Sequence, residues 1–358
     1  MRRGSILVAF GLIVASSLPA PAQQPYYAGK TIEILVPFGA GGGTDIETRF
    51  LVPFFGKHTA GNPRVAVRNM PGGGSITGTN WYAQNAKPDG LQMLATSGST
   101  VIPFILGVPQ VKYDFTKWKL VKVNGVGGVV YVSPRTGIKK PEDLLKPAQR
   151  LVYGGISATG LDLTTLLLFE LLGMDVRAVL GMEGRGPARL TFERGETNID
   201  YQTTPAYLTQ VVPLVKEGKA IPIMSMGFVN ERGQMVRDPA APDLPTPSEV
   251  YEVLHKRKPD GLLQWKAYQS LVSASFSFQK ALWVPEGTPA KALGALHEAI
   301  DKMNRDPQFG AESQKVLEGY PIFRGDQVEA AVHRSMSVSP DVKKFVTDLL
   351  RQKYNVRL

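Results

Sequence analysis

The residues with the clearest chemical potential are Phe38-Gly39-Ala40-Gly41-Gly42-Gly43-Thr44-Asp45, directly after the apolar run Ile32, Ile34, Leu35 and Val36. The order predicts a buried strand, a turn that Cβ-bearing residues would obstruct, and a helix N-capped by Thr44 or Asp45. A strand, glycine loop and helix N-terminus in series form an anion site, because free backbone N–H groups and the helix dipole both favour negative charge there. Three more loops of small residues follow apolar strands: Pro71–Ser75, Ser97–Thr100 and Gly154–Gly160. Thr203 and Thr204 end a fifth strand. Any one of these loops alone reads as a tight turn, and Pro71–Ser75 keeps that reading. Together they supply hydrogen-bond donors for a small polar or anionic ligand.

The motifs of catalysis fail in detail. A dinucleotide fingerprint opening at Gly39 and Gly41 needs glycine where Thr44 stands, and between Ile46 and Pro88 the only acidic residue is Glu47, so no carboxylate is placed to hold a ribose. The glycine loop lacks the Lys-Ser/Thr ending of a P-loop. Around Ser157 the order Gly155-Ile156-Ser157-Ala158-Thr159 is not a nucleophile elbow. His58, His255, His297 and His333 are isolated and read as surface or satisfied core histidines, not metal ligands. The expectation is no catalytic residue, no cofactor and no metal.

The bulk composition limits the partners. With 358 residues, 43% hydrophobic and 20% charged, the chain has the makeup of a globular protein with room for two domains. There is no cysteine, which excludes disulfides, thiolate metal sites and a lipid-modified N-terminal cysteine. Arg2 and Arg3, the apolar stretch Ile6–Leu18 and Ala20-Pro21-Ala22 read as a signal peptide cleaved after Ala22; the twin arginines raise a folded-export route, but ordinary secretion fits the rest of the pattern better. The expected product is soluble and periplasmic. Net charge is +10, falling by two to +8 without Arg2 and Arg3, and suits an anionic ligand. The basic residues are scattered, so nucleic acid is not expected as a partner.

These residues must be positioned by alternating strands and helices. Strands are predicted at 32–36, 64–68, 91–96, 151–153, 199–201 and 221–226. Helices are predicted from Asp45 to a kink or end at Pro53, and at 76–86, 161–172, 187–194 and 205–217, the last interrupted by Pro213. Val121–Ser133 reads as one long strand crossing between domains, Thr136–Leu144 as a turn into a helix, and Phe276–Pro285 as a returning strand. Thr288-Pro289 and Ser339-Pro340 each start an amphipathic helix. The βαβα rhythm argues for mainly parallel sheets with ligand contacts at the carboxyl ends of the strands. The expected layout is residues 23–127 plus 281–358 as one lobe and 128–280 as the other.

In order along the chain, VPFGAGGGTD (Val36–Asp45), N-x-PGGGS-x-x-G (Asn69–Gly78), KPDG (Lys87–Gly90), LATSGST (Leu94–Thr100), DLPTPSEV (Asp243–Val250) and VPEGTP (Val284–Pro289) resemble the tripartite tricarboxylate transporter substrate-binding proteins, the Bug or TctC-like receptors. The resemblance implies an α/β, two-lobed periplasmic binding protein of type II. It also implies a ligand carboxylate held largely by backbone N–H groups and water, a monomer, and transfer of the ligand to integral-membrane transporter subunits. Carried over residue by residue, it points to Phe38, Gly39, Ala40, Gly41, Gly42, Thr44 and Asp45, and to Ser97, Gly98, Ser99 and Thr100.

From the second lobe the candidates are Gly154, Ser157, Thr159, Thr203 and Thr204. Here the sequence departs from the family's Tyr-Gly-Ser-x-Gly-x-Gly-Ser followed by histidine, because Tyr153 is followed by GGISATGLD. Val179–Gly186 (VLGMEGRG) replaces the usual V-P-Y-K-G. Asp162 reads either as a partner for a ligand ammonium or hydroxyl or as a solvated helix residue, and Arg185 either as a partner for a second carboxylate or as a solvated loop residue. Two other uses of the same scaffold stay open: reporting ligand to a membrane sensor kinase, and an exported enzyme.

Overall fold

The computed structural model describes residues 24–229, 234–317 and 319–358; the leader read at 1–22 lies outside the described residues. The strands, in chain order, are β1 (Thr31–Val36), β2 (Arg64–Asn69), β3 (Gln92–Thr96), β4 (Trp118–Asn124), β5 (Gly128–Val132), β6 (Leu151–Gly155), β7 (Val176–Leu180), β8 (Ile199–Thr203), β9 (Ile221–Ser225), the short pair β10 (Phe228–Val229) and β11 (Met235–Val236), β12 (Lys280–Pro285) and β13 (Ile322–Arg324). One sheet runs β13-β4-β12-β3-β1-β2 and a second β7-β6-β8-β5-β9. Helices flank both, giving the two-lobed α/β fold that the sequence predicts.

Both sheets are mixed. The βαβ units give the parallel pairs β1 with β2 and β3, and β6 with β7 and β8. The strands on which the chain passes from one lobe to the other add antiparallel pairs: β12 with β3 and β4, and β5 with β8 and β9. Parallel pairing is therefore confined to the outer part of each sheet, and the loops expected to touch ligand leave the ends of those strands.

The chain passes between the sheets at 125–127 and at 277–279. The two passages touch, since Val126 N donates to Phe276 O at 3.0 Å, and a Cβ at Gly125 would lie 3.1 Å from Ser277 O. The residues predicted as one long strand over 121–133 are thus two strands in different sheets, broken where glycine allows this close approach. The returning strand starts at Lys280, because Leu263–Phe276 is a helix. That helix buries Trp265, Tyr268, Leu271 and Val272, and packs on helices of both lobes. Lys280 itself pairs with Asn124 in the first sheet.

Helix α1 (Gly43–His58) continues through Pro53 instead of ending there. Pro53 is exposed, so the carbonyl it deprives of a partner lies on the solvent side. Beyond it, Phe54 and Phe55 are buried, and Phe54 meets Phe309 edge-on with centroids 4.9 Å apart. Burying two aromatic side chains, at roughly 1.5–3 kcal/mol for each large apolar group, is comparable to the cost of one internal proline, about 3 kcal/mol. Pro213 is accommodated differently, by a wide π turn over Tyr207–Val211 just ahead of it. The predicted helix after Thr136 reduces to two single 3-10 turns.

Candidate functional site

Helix α1 begins directly from the glycine loop. Its N-cap is Gly42, and no side chain caps it, so the first-turn N–H groups at Gly43, Thr44 and Asp45 lack an acceptor four residues back. Asp45 fixes the loop. Its carboxylate accepts from Gly41 N at 2.9 Å, Asn69 Nδ2 at 2.9 Å and Arg49 Nε at 3.0 Å, while Asn69 also holds Phe38 O at 3.0 Å. A carboxylate so engaged is not open to a ligand, and of Asp45 the backbone N–H in the first turn of α1 is what remains for one.

Past helix α2 (Ile76–Asn85), a second helix start converges on the same point. Helix α3 (Gly98–Leu106) is capped by Ser97, whose Oγ accepts from Ser99 N at 3.2 Å, while Thr100 Oγ1 accepts from Ser97 N. Ser97 and Thr100 hydroxyls thus hold their own helix start. Gly98 packs against Ser275 and Leu161, and Ser99 Oγ reaches the other lobe to accept from Leu161 N at 3.1 Å. Replacing Ser99 by alanine should cost about 0.5–1.5 kcal/mol, read as a modest drop in Tm.

The second lobe contributes helix α4 (Asp162–Leu172), helix α5 (Arg185–Glu193) and the loops before them. Arg185 is buried. Its Nη1 donates to Gly154 O at 2.8 Å, and to Tyr153 Oη and Asp162 Oδ1 at 3.1 Å each; Nη2 donates to Tyr201 O at 2.7 Å and pairs with Asp200. The guanidinium carbon lies 4.4 Å from the Tyr201 ring centroid. Burial opposes its charge, but Tyr153 and Asp162 beside it outweigh that and hold its pKa above the ordinary value. Asp162 also accepts from Ile156 N at 2.9 Å, from Ser157 N at 3.2 Å and from the Tyr153 hydroxyl. Neither of the two readings made for Asp162 and Arg185 describes this pair. They are buried against each other and against Asp200, two carboxylates to one guanidinium.

The lobes meet at the glycine loop. Gly39 N donates to Glu183 O at 2.8 Å, and Arg189 Nη1 to Gly41 O at 3.2 Å. Between them remains a cavity of about 20 Å³ lined by Phe38, Gly42, Gly43, Thr44, Ser97, Ser99, Ile156, Leu161, Arg185, Thr203 and Lys280. That volume admits roughly one water, so any larger ligand enters only when the lobes part.

Of the predicted residues, Phe38, Gly42, Thr44, Ser97, Ser99, Arg185 and Thr203 therefore come together. Gly39 and Gly41 hold the loop and the lobe contact, Ala40 is exposed, and Thr204 N donates to Gly127 O at the start of the next helix. Ser157 and Thr159 face a different cavity, of about 770 Å³, with Gly72–Gly74 and Glu183. A further cavity, of about 1070 Å³, lies on a flank between Val236, Glu249, Trp265 and Lys266, away from the glycine loops.

Of the cavity's lining residues, Leu161 and Lys280 lie outside the loops read from the sequence. A signal for the last was available: one lysine opens the otherwise apolar run Ala281-Leu282-Trp283-Val284. Lys280 Nζ donates to Thr44 Oγ1 at 2.8 Å. Burial pushes its pKa down to about 7; Glu47 opposes the shift and Lys122 adds to it. Two further buried donor atoms on the cavity, Thr203 Oγ1 and Arg185 Nε, have no hydrogen-bond partner among the described residues.

No family model matches the chain. Over 220 residues, 59% of this chain and 66% of the relative, it is 28% identical to Protein BugT of Bordetella pertussis, so the matched part spans just under two thirds of that protein. Its fold is similar to that of the periplasmic binding protein BugD, with a TM-score of 0.68 at 20% identity over 92% of this chain and 99% of the other. The chain is similar in sequence to a Bug protein and in fold to Bug and TctC solute-binding proteins. The same fold is seen in MatC of Rhodopseudomonas palustris, solved with bound malate, at a TM-score of 0.63 and 19% identity over 88% of this chain and 99% of that one. The altered second-lobe segment has a structural account: Tyr153, Asp162 and Arg185 lock together where the resemblance leads one to expect a more polar, serine-rich loop.

Proposed function

We propose that this Bug/TctC-like protein is an extracytoplasmic receptor that closes on a small carboxylate and passes it to a tripartite tricarboxylate-type membrane transporter. The observation that carries this is the convergence of donors on one buried cavity: the uncapped N-terminus of α1, Thr203 Oγ1, Arg185 Nε and the Lys280 ammonium. Buried donors without acceptors are unfavourable, and an anion entering there would satisfy several at once. MatC, with its bound malate, supports a compact dicarboxylate as the first class to test.

In this reading the protein is non-catalytic, periplasmic after removal of 1–22, and monomeric. The lobes are 23–127 plus 280–358 and 128–279, one residue from the expected boundary because Lys280 pairs with Asn124 in the first sheet, and the adjoining passages at 125–127 and 277–279 act as the hinge.

The test is a thermal-shift screen of protein starting at Gln23, unfolded and refolded to strip bound ligand, against di- and tricarboxylates, amino acids and aromatic acids. An acid at 100 times its Kd adds about 2.7 kcal/mol, a shift of several degrees. Gly42→Val should abolish it, since a Cβ there already lies 3.2 Å from Gly186 N and 3.4 Å from Arg185 N of the other lobe. A panel without a single stabilising acid, or an unchanged shift in Gly42→Val, would remove the support for this cleft as the site.

A further inference from the structure

The charges around the cavity do not balance lobe by lobe. On the first lobe Glu47 is buried with two lysines. Lys122 takes it, with Nζ 2.5 Å from Glu47 Oε1 and 2.5 Å from Asn124 Oδ1. Asn124 Nδ2 reaches the other Glu47 oxygen at 3.4 Å. Lys280 is left over. It is 4% exposed, it makes no ion pair among the described residues, and its one side-chain hydrogen bond is to Thr44 Oγ1 at 2.8 Å. An ammonium has three donors, so two have no protein acceptor. Across the cavity Arg185 is committed to Asp162 and Asp200. Of the two cations lining the cavity, only Lys280 has no counter-charge of its own.

The position is well suited to an anion. Lys280 Nζ is bonded to a residue in the first turn of α1, and an added Cβ at Gly43 would lie 3.6 Å from that nitrogen. The lysine therefore stands beside the positive end of the helix dipole, and both favour the same occupant. Thr203 Oγ1, unpartnered and almost fully buried, closes the same corner from the second lobe.

We propose that the Lys280 ammonium is the ion-pair partner of the ligand's carboxylate, so that the cleft discriminates an anion from its neutral isostere through a charge and not through backbone N–H groups and water alone. This rests on the receptor reading above. A buried cation without a counter-ion is unfavourable in the free protein and favourable once an anion sits against it. Charge at this one position thus couples ligand binding to lobe closure.

The proposal has a pH signature. The groups facing Lys280 are Glu47 and Thr44 on α1, Lys122 and Asn124 on β4, and Thr203 and Arg185 from the second lobe. Burial lowers the pKa of Lys122 as well, but Lys122 is ion-paired with Glu47 and Arg185 with its two aspartates, so Lys280 is the unpaired cation whose charge responds to a ligand. With a free-protein pKa of about 7, raised by a bound carboxylate, affinity should be level below pH 7. Above it, affinity should fall by up to about tenfold per pH unit as each binding event takes up a proton.

The experiment titrates malate, succinate, adipate and citrate, and the diamides of the first three, into stripped wild-type protein and into Lys280→Met and Lys280→Gln, by calorimetry at pH 6 and pH 9 in buffers of differing ionisation enthalpy. The expected result is an acid that binds wild type, an amide that does not, a loss of at least tenfold at pH 6 in both variants, and disappearance of the pH dependence. Lys280→Met should also raise the Tm of the ligand-free protein, since it removes a buried charge, and that readout shows whether the variant folds. Equal binding of acid by wild type and a folded Lys280→Met would overturn the lysine's role and leave the receptor reading standing. Failure of every acid to bind wild type would overturn both.

Discussion

Replacing Arg185 with leucine should destabilise the protein by roughly 3–5 kcal/mol, the cost of breaking a buried ion pair from one side. Asp162 and Asp200 are almost fully inaccessible, and without the guanidinium they would be like charges in one pocket. The loss reaches further than charge. Arg185 ties the end of β6 through Gly154 O, the middle of β8 through Tyr201 O, and the start of α5, to which it belongs. It lies over the ring of Tyr201, and Gln202 Nε2 in turn donates to its own carbonyl at 2.8 Å. Urea unfolding followed by circular dichroism would measure the effect. Adding Asp162→Asn and Asp200→Asn to Arg185→Leu should recover part of the stability, because neutral amides remove the unpaired charge. A folded Arg185→Leu variant within 1 kcal/mol of wild type would show that the three groups are not energetically coupled.

Gly43→Ala is the converse case, with a large effect on binding and little on folding. Gly43 is the first residue of α1 and does not have a left-handed backbone, so alanine is compatible with its local conformation. Its Cβ, however, would run into Thr203 Oγ1 across the interlobe cavity, with Thr203 Cβ at 3.3 Å. Overpacking of this kind costs about 1–3 kcal/mol, here against the closed state alone. Ligand affinity should therefore fall roughly tenfold to a hundredfold while the ligand-free Tm stays near that of wild type. The double variant Gly43→Ala with Thr203→Ala removes the obstructing oxygen and should regain much of the closure, seen as a smaller radius of gyration on adding ligand in solution scattering. If the double variant binds no better than Gly43→Ala alone, the defect lies in the helix start and not in the contact between lobes.

Much of the frame was legible in the residues themselves. Each strand–glycine–helix unit announces its own geometry: apolar β-branched residues give the strand, glycine the turn, and small polar residues the helix start. The loops at Gly39–Asp45 and Ser97–Thr100 accordingly sit where the sequence put them, at the mouths of β1 and β3. Local reading failed where a distant contact overrode a local rule. Pro53 stays inside a helix because Phe54 and Phe55 are buried on its far side, against partners that include Phe309. The segment 121–133 breaks into two strands because the second passage, at 276–277, presses on Gly125.

The candidate site divides along the same line. Sequence alone determined that this chain carries several donor-rich helix starts, because those are properties of neighbouring residues. Only the tertiary structure decided which polar side chains remain open to a ligand. Asp162 and Arg185 looked available as isolated charges, yet each finds buried partners from other elements. Lys280 looked like one charge in an apolar strand, yet folding places it beside Thr44, some 236 positions earlier, and leaves it without a counter-ion of its own. A charge's function depends on what folding brings to it, and pairing between residues distant in the chain has no local pattern from which it can be read.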